Sequence, residues 1–356
     1  MSVASPLDVE DLRQRVGVAV DGFLARQRNY LDNISSEVLP MHGAVSDLLS
    51  GGKRLRPAFC YWGWRGAGGA NSPEALTAAA SLEFLQACAL IHDDVMDGSD
   101  TRRGLPSAHR RFASLHRGSE WLGSPESFGV GAAILVGDLC LSWADEMLMD
   151  CGLPYDAIRR GKAIYDEMRT ELMAGQYLDL LEQAHGGGSR ERSMLVVRYK
   201  SAKYTIERPL HLGAALAGAP QTYLEGLSTY GLPLGEAFQL RDDILGVFGD
   251  PKETGKPAGD DLREGKRTVL IATATEHATP EQSDQLRRGL GDPGLDLDGV
   301  ARIREVIVET GALQTTESLI EQLLERSLEA LNTMNIDAAA REVLTGLAFA
   351  ATRRSM

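Results

Sequence analysis

Cysteine is scarce, positive charge is outnumbered, and long uncharged apolar runs are missing from this chain of 356 residues. The 4 cysteines, Cys60, Cys88, Cys140 and Cys151, form no CxxC pair and lie in apolar surroundings such as AFCYW and LQACALI. Zinc sites need closer spacing and disulfide frameworks need a secreted setting, so these are expected to be reduced core residues. Lys and Arg number 37 against 50 Asp and Glu, a net charge of -13, which argues against a protein that lives on phosphate-backbone contacts with nucleic acid. No run of about 18 apolar residues is there to span a bilayer, and the first residues, MSVASPLDVEDLRQRV, lack the basic-then-apolar order of a signal peptide. A soluble, cytoplasmic protein without stable membrane insertion is expected. No GxSxG, HExxH or Cys-His nucleophile pattern occurs. Nor does any Pro/Ser-rich linker or short repeat, so residues 1–356 read as one domain.

What is present is helical periodicity. Hydrophobic residues make up 43% of the chain, recur at helical rather than alternating spacing, and break at Gly/Pro clusters, which makes the class all-α. The strongest element starts at Ser72-Pro73, Ser as N-cap and Pro at the first helical position, and runs through EALTAAASLEFLQACALIHDDVMD. Almost uncharged until Asp93, it belongs inside a helical bundle. Further helices are predicted at Phe128–Met149, Ala157–Gln183, Met194–Ala217, Leu234–Phe248, Lys266–Thr275, Val300–Thr310 and Thr315–Asn332. Between the fourth and fifth of these lies a long polar loop, Gly249–Gly265, of the kind that forms lids and binding loops. Its GDPKETGKP resembles a nucleotide-binding P-loop, but the spacing is one residue too long and Pro257 stands where Ser or Thr is required.

Two acidic pairs sit in these apolar helices. Asp93 and Asp97 are four apart, so a helix puts them on one face, one turn apart, with Asp94 between them. Asp242-Asp243 closes the apolar GEAFQLRDDILGVF. One such cluster is most simply a solvated helix end, yet carboxylates at a helix C-terminus also oppose the macrodipole. Two pairs in hydrophobic helix point instead to hard cations of the magnesium type held between facing helices. Cations suited to a diphosphate are available too: Lys53, Arg54 and Arg56 in GGKRLRP, Arg102-Arg103 after the first acidic motif, and Lys256 and Lys266 after the second. His92, beside Asp93, is a candidate general base, with a supporting structural role as the simpler reading.

The ordered motifs GGKRLRP, LIHDDVMDGSDTRRG, YKSA, FQLRDD and GKPAGDDLREGKRT, from Gly51 to Arg267, resemble those of the trans-polyprenyl diphosphate synthases, the polyprenyl synthetase family. The resemblance implies a single antiparallel helical bundle around a deep cavity, a homodimer, and three magnesium ions. It implies that Asp93 and Asp97 ligate two ions and Asp242 the third, with Asp94 and Asp243 supporting. Lys53, Arg56, Gln86 and Arg103 match positions that hold isopentenyl diphosphate. Arg102, Lys200, Lys256 and Lys266 match those that hold the allylic diphosphate (dimethylallyl, geranyl or farnesyl), and Ser201 and Gln239 match polar residues beside the developing cation. The implied reaction is ionisation of the allylic C–O bond in a water-poor cavity, then head-to-tail attack by isopentenyl diphosphate. The proton is lost to the departing diphosphate, and closure of the Gly249–Gly265 loop keeps water out. Two positions depart from the family pattern: Gly246 stands where the second motif often has its last Asp, and Ser201 where Thr is common.

In the family, residues ahead of the first acidic motif set the cavity floor. At a rise of ~1.5 Å per residue, Ala89 lies about 6 Å and Leu85 about 12 Å deeper than Asp93. Ala89 shares the Asp93 face, and the resemblance adds Cys88 as a second lining position. Both are small, which leads to geranylgeranyl diphosphate, C20, as the expected product, with Leu85, Leu82 and Phe84 as the stop. The alternatives are another chain length, a non-catalytic subunit of a partner synthase, for which Gly246 is the one hint, and a class I terpene cyclase, whose second metal motif differs.

Overall fold

A computed structural model describes residues 5–186, 189–250 and 259–353, and these are helical almost throughout, as the periodicity requires. The chain divides into two compact units, Met1–Lys162 with Leu212–Gly218, and Ala163–His211 with Ala219–Met356.

The first unit contains α1 (Leu12–Ile34), α2 (Leu39–Leu49), α3 (Leu55–Gly66), α4 (Pro73–Asp97), α5 (Ala108–Gly118), α6 (Pro125–Met149) and the start of α7 (Tyr155–Ala184). Ser72 caps α4 as expected, its Oγ accepting from the Ala75 N–H at 3.1 Å, and Gly98 at φ +68 ends it. α4 packs on α6, α3 and α1. Phe84 of α4 meets Phe23 of α1 at a ring separation of 4.9 Å and Trp143 of α6 at 6.1 Å, an aromatic knot with hardly any solvent contact. α4 and α6 both have the length and apolar composition of a membrane span, contrary to the expectation from apolar runs. In α4, however, 72% of that stretch is buried inside the protein.

Two short irregular segments shape this unit. In the loop before α3, Arg54 adopts φ +57, and its buried guanidinium pairs with Glu83 of α4 while donating to the Leu49 carbonyl. After α4 the chain forms a ribbon, β1 (Thr101–Arg102) against β2 (Leu105–Pro106). Its two turn residues, Arg103 and Gly104, have φ +53 and +77, the left-handed pair that a two-residue hairpin demands.

The second unit holds the rest of α7, then α8 (Arg190–Val196), a π-helical stretch (Val197–Glu207) leading into the start of α9 (Arg208–Leu216), whose residues from Leu212 belong to the first unit, and then α10 (Gln221–Phe248), α11 (Asp260–Arg263), α12 (Val269–His277), α13 (Pro280–Gly289), α14 (Leu297–Glu309), α15 (Ala312–Thr333) and α16 (Ala338–Thr352). α10 begins at Gln221 rather than Leu234 because the helix continues through Pro233. Proline removes one backbone hydrogen bond, but here it is buried in a helix packed against the π-helical stretch and α15. Leu240, Ile244 and Val247 of α10 form one core with Leu270, Ile303, Ile307 and Leu323. A Cβ on Gly175 of α7 would lie 2.3 Å from the Lys200 nitrogen, and one on Gly235 of α10 would lie 2.5 Å from the Ala202 carbonyl oxygen. Both helices therefore press backbone to backbone on the π-helical turn that carries Lys200 and Ser201, and π-turns mark functional sites in helices.

The Arg54–Glu83 pair is buried on both sides, so removing one partner strands the other charge. Glu83→Leu is expected to lower stability by about 3–5 kcal/mol, read as a shift of the urea midpoint. An unchanged midpoint would mean that the pair does not hold the loop.

Candidate active site

In the first unit, α4 is largely buried, and a partly open stripe runs along it, with Leu90, His92, Val95 and Met96 also accessible near its C-terminal end. Gln86, Ala89, Asp93 and Asp97 each keep partial accessibility, while Leu82, Leu85, Cys88 and Ile91 on the other faces are buried. The period of 3.6 thus sets two carboxylates in line, one turn apart, with Ala89 one turn beneath Asp93. Asp94 is turned away from them. It is 2% exposed and accepts from Arg102 Nε at 2.9 Å, a second guanidinium nitrogen also bonding the same oxygen. The sequence expectation of Asp94 as a supporting metal residue changes accordingly: its carboxylate positions Arg102, which comes within 3.8 Å of Asp93 Oδ2.

Arg103 is fixed just as firmly. From its strained φ it donates to the Leu48 carbonyl at 2.7 Å and the Gly51 carbonyl at 3.0 Å, clamping the loop that carries Lys53. Burial depresses its pKa; Glu83 opposes the shift, and the guanidiniums of Arg54, Arg102 and Arg56 add to it. Four arginines held this close repel one another and favour a bound anion. Arg102, Arg103 and Arg111 also line a cavity of about 290 Å³ with Ile91, Asp94 and Ser107. Lys53, exposed at the loop, and Arg56, in the first turn of α3, belong to the same cationic cluster by chain position.

Packing contacts define Cys88 and His92 in this unit. Cys88 has no accessible surface. Its Sγ lies 3.7 Å from His92 Nδ1, and burial pushes the thiol up to about 12, so it packs as an apolar residue and lines no open space. His92 donates from Nε2 to the Ile134 carbonyl at 3.1 Å, which ties α4 to α6 and occupies it structurally rather than as a base. Leu85, Leu82 and Phe84 are fully buried.

In the second unit the corresponding stripe lies on α10, where Gln239, Asp242 and Gly246 keep partial accessibility while Phe238, Leu240, Asp243 and Ile244 are buried. Gln239 was expected beside the developing cation. Its amide nitrogen donates to Asp243 Oδ1 at 2.7 Å, so it orients that carboxyl. Burial pushes Asp243 up to about 7; Gln239 opposes the shift, Asp261 and Asp242 add to it, and Lys266 opposes it. Lys200 reaches Asp179 Oδ2 at 2.6 Å, and the neighbouring Ser201 is buried in the same π-turn. Lys266 bonds Asp261 Oδ1 at 3.2 Å and Glu264 Oε2 at 2.8 Å. Asp261 is a residue that motif reading passed over, and the second acidic residue of GDDLREGK was its only signal. Lys256 lies outside the described residues.

The donor set suits magnesium. All candidates are carboxylate oxygens, the hard ligands this ion prefers, and among the described residues no three His, Cys, Asp or Glu side chains form a cage. Magnesium is commonly held by one or two carboxylates, its remaining positions going to waters and substrate phosphates.

Comparison with known proteins agrees with this chemistry. The chain is 34% identical over 310 residues to the geranylfarnesyl diphosphate synthase of Aeropyrum pernix, covering 85% of this chain and 91% of that one. It is 31% identical over 325 residues to the octaprenyl diphosphate synthase of Escherichia coli (strain K12), covering 91% and 93%. Among solved structures, the geranylgeranyl pyrophosphate synthase of Corynebacterium glutamicum, complexed with isoprenyl diphosphate and magnesium, superposes with a TM-score of 0.94 at 44% identity, covering 97% of this chain and 99% of that one. The polyprenyl synthetase family model matches residues 40–307, a span that crosses the division between the two units. The ordered motifs, the all-α fold and these matches agree, and the chain belongs to the polyprenyl synthetase family of trans-prenyltransferases.

Proposed function

We propose that this enzyme extends dimethylallyl, geranyl or farnesyl diphosphate with isopentenyl diphosphate to geranylgeranyl diphosphate, C20, and that residues 1–356 act as one catalytic domain. The observation that carries the product length is the α4 stripe. Ala89, one turn beneath Asp93, leaves the level open where a Phe or Tyr would stop a C15 tail, and buried Leu85 and Leu82 form the next level. The resemblance to the Corynebacterium synthase supports the same length.

Lys53, Arg56, Gln86 and Arg103 are assigned to isopentenyl diphosphate, and Arg102, Lys200, Lys256 and Lys266 to the allylic diphosphate. Asp93, Asp97 and Asp242 are assigned to magnesium, about three ions in all. Bound there, magnesium neutralises the leaving diphosphate and so eases ionisation of the allylic carbon. The chain's own part is preorganisation. Asp94 and the Leu48 and Gly51 carbonyls hold Arg102 and Arg103 in place before substrate arrives, so no reorganisation is needed as charge develops. Ser201 is assigned to a position beside the developing cation.

A homodimer is proposed as well. α6 buries only 39% of its most apolar stretch, leaving Phe128, Ile134 and Leu135 exposed at 40%, 44% and 59%, a face that a second copy would cover. Four buried cysteines without a disulfide fit the reducing cytoplasm.

With magnesium, isopentenyl diphosphate and each primer, mass spectrometry is expected to find mainly C20, and Ala89→Phe is expected to shift it to C15 or shorter. A main product of C25 or longer would move the floor below Leu85, and no turnover from any primer would favour a subunit that needs a partner. Asp94→Asn is expected to raise KM for the allylic substrate by about tenfold or more through loss of a charged hydrogen bond, with KM for isopentenyl diphosphate little changed. An equal rise in both would assign Asp94 to folding. Sedimentation of the wild type should give a dimer, and Leu135→Asp a monomer.

A further inference from the structure

The π-helical stretch Val197–Glu207 is fastened to α7 by charge as well as by close packing. An α-helix closes its turns between residues four apart and a π-helix between residues five apart, and 11 residues here stand in the wider register. Such turns are rare, so this one depends on contacts that the α register would lose.

α7 supplies them from a single stripe. Glu171, Gly175 and Asp179 recur at four-residue spacing and so share one face. At the middle position an added Cβ would stand 2.3 Å from the Lys200 backbone nitrogen and 2.5 Å from the Tyr199 carbonyl carbon. Backbone atoms cannot swing aside, so glycine is required there and the two backbones touch. The carboxylates on either side take cations from the stretch and its end. Lys200 Nζ lies 2.6 Å from Asp179 Oδ2. Glu171 accepts from Arg208 Nε at 2.6 Å and from a terminal guanidinium nitrogen at 2.8 Å, a fork that fixes direction as well as distance. Lys203 Nζ bonds the same carboxylate.

The Glu171 side chain is 16% exposed, and those of Lys203 and Arg208 are 15% and 10%, so water screens these charges weakly. Burial alone would raise the Glu171 pKa, but the bonds from Arg208 and Lys203 outweigh it and hold the carboxyl below its ordinary value. A turn that slipped into the α register would rotate Lys203 and Arg208 away from Glu171 and leave buried charge without its partner. The same slip would carry Lys200 off Asp179.

We propose that Glu171 is a positioning residue that locks the π register from which Lys200 meets the allylic diphosphate. The proposal rests on the assignment of Lys200 to that substrate.

Steady-state kinetics of the whole protein with magnesium, at saturating isopentenyl diphosphate, test it. Glu171→Gln keeps the shape and removes the charge. It should lower kcat/KM for farnesyl diphosphate by about 10–100-fold, the loss that a displaced group causes, with KM for isopentenyl diphosphate little changed. Lys200→Met is the reference. Added to it, Glu171→Gln should cost almost nothing more, because its effect passes through Lys200. The proposal falls if the two losses multiply, if Glu171→Gln raises both KM values equally, or if it turns over farnesyl diphosphate as wild type does. A Lys200→Met variant with unchanged kcat/KM for farnesyl diphosphate would overturn the assignment of Lys200 instead. If Glu171→Gln does not fold, Glu171→Leu with Lys203→Met removes both buried charges and leaves Arg208 its contact with Glu167 at 3.0 Å. The same comparison with Lys200→Met is then read from that variant.

Discussion

Carboxylates held on an otherwise apolar helix wall are the constraint around which this protein is organised. α4 and α10 bury much of their length, and each keeps its acidic residues partly open, Asp93 and Asp97 on one and Asp242 on the other. In such surroundings like charges raise each other's proton affinity unless a cation intervenes. Burial first of all pushes Asp243 up to about 7, and the neighbouring charges of Asp261 and Asp242 add to the shift. A site that binds magnesium with an anionic substrate relieves that pressure, and a solvated helix end would not create it.

The same electrostatics explains why so much of the positive charge is immobilised. Arg54 is committed to Glu83, Arg102 to Asp94, and Arg103 to two backbone carbonyls. A flexible lysine on a surface would gather around a diphosphate only at an entropic cost, whereas guanidiniums already locked in position meet it without reorganisation. Asp94 and Glu83 orient the arginines they bond. The loop that Arg54 pins to α4 is also the one that carries Lys53.

Much of this was legible in the sequence because it rests on local periodicity. The Ser72 cap, the buried character of α4 and the shared face of Asp93 and Asp97 all follow from a repeat of 3.6. What escaped depends on contacts between distant segments. The helix through Pro233 survives because tertiary packing outweighs one lost hydrogen bond. The π-turn at Lys200 and Ser201 depends on the close approach of Gly175 and Gly235, and nothing in the local sequence YKSA announces a wider helical turn. Cys88 and Ala89 are adjacent and both small, so only the direction of each side chain separates a buried thiol from a wall position. Asp94 and Gln239 match functional motifs in sequence, but the partners that make them positioning residues are Arg102 in the ribbon after α4 and a carboxyl one turn along α10.

Gly246 carries this reasoning one step further. Read along the chain, it is a lost ligand, because a motif is a statement about consecutive residues. Read in space, a Cβ at position 246 would stand 1.7 Å from Oδ2 of Asp261, so the Asp261 side chain lies directly beside the glycine. Metal coordination constrains where donor atoms lie and how hard they are, and it is indifferent to which backbone delivers them. The departure from the family pattern at position 246 stands in a chain that otherwise keeps Asp242-Asp243 and matches the family over residues 40–307.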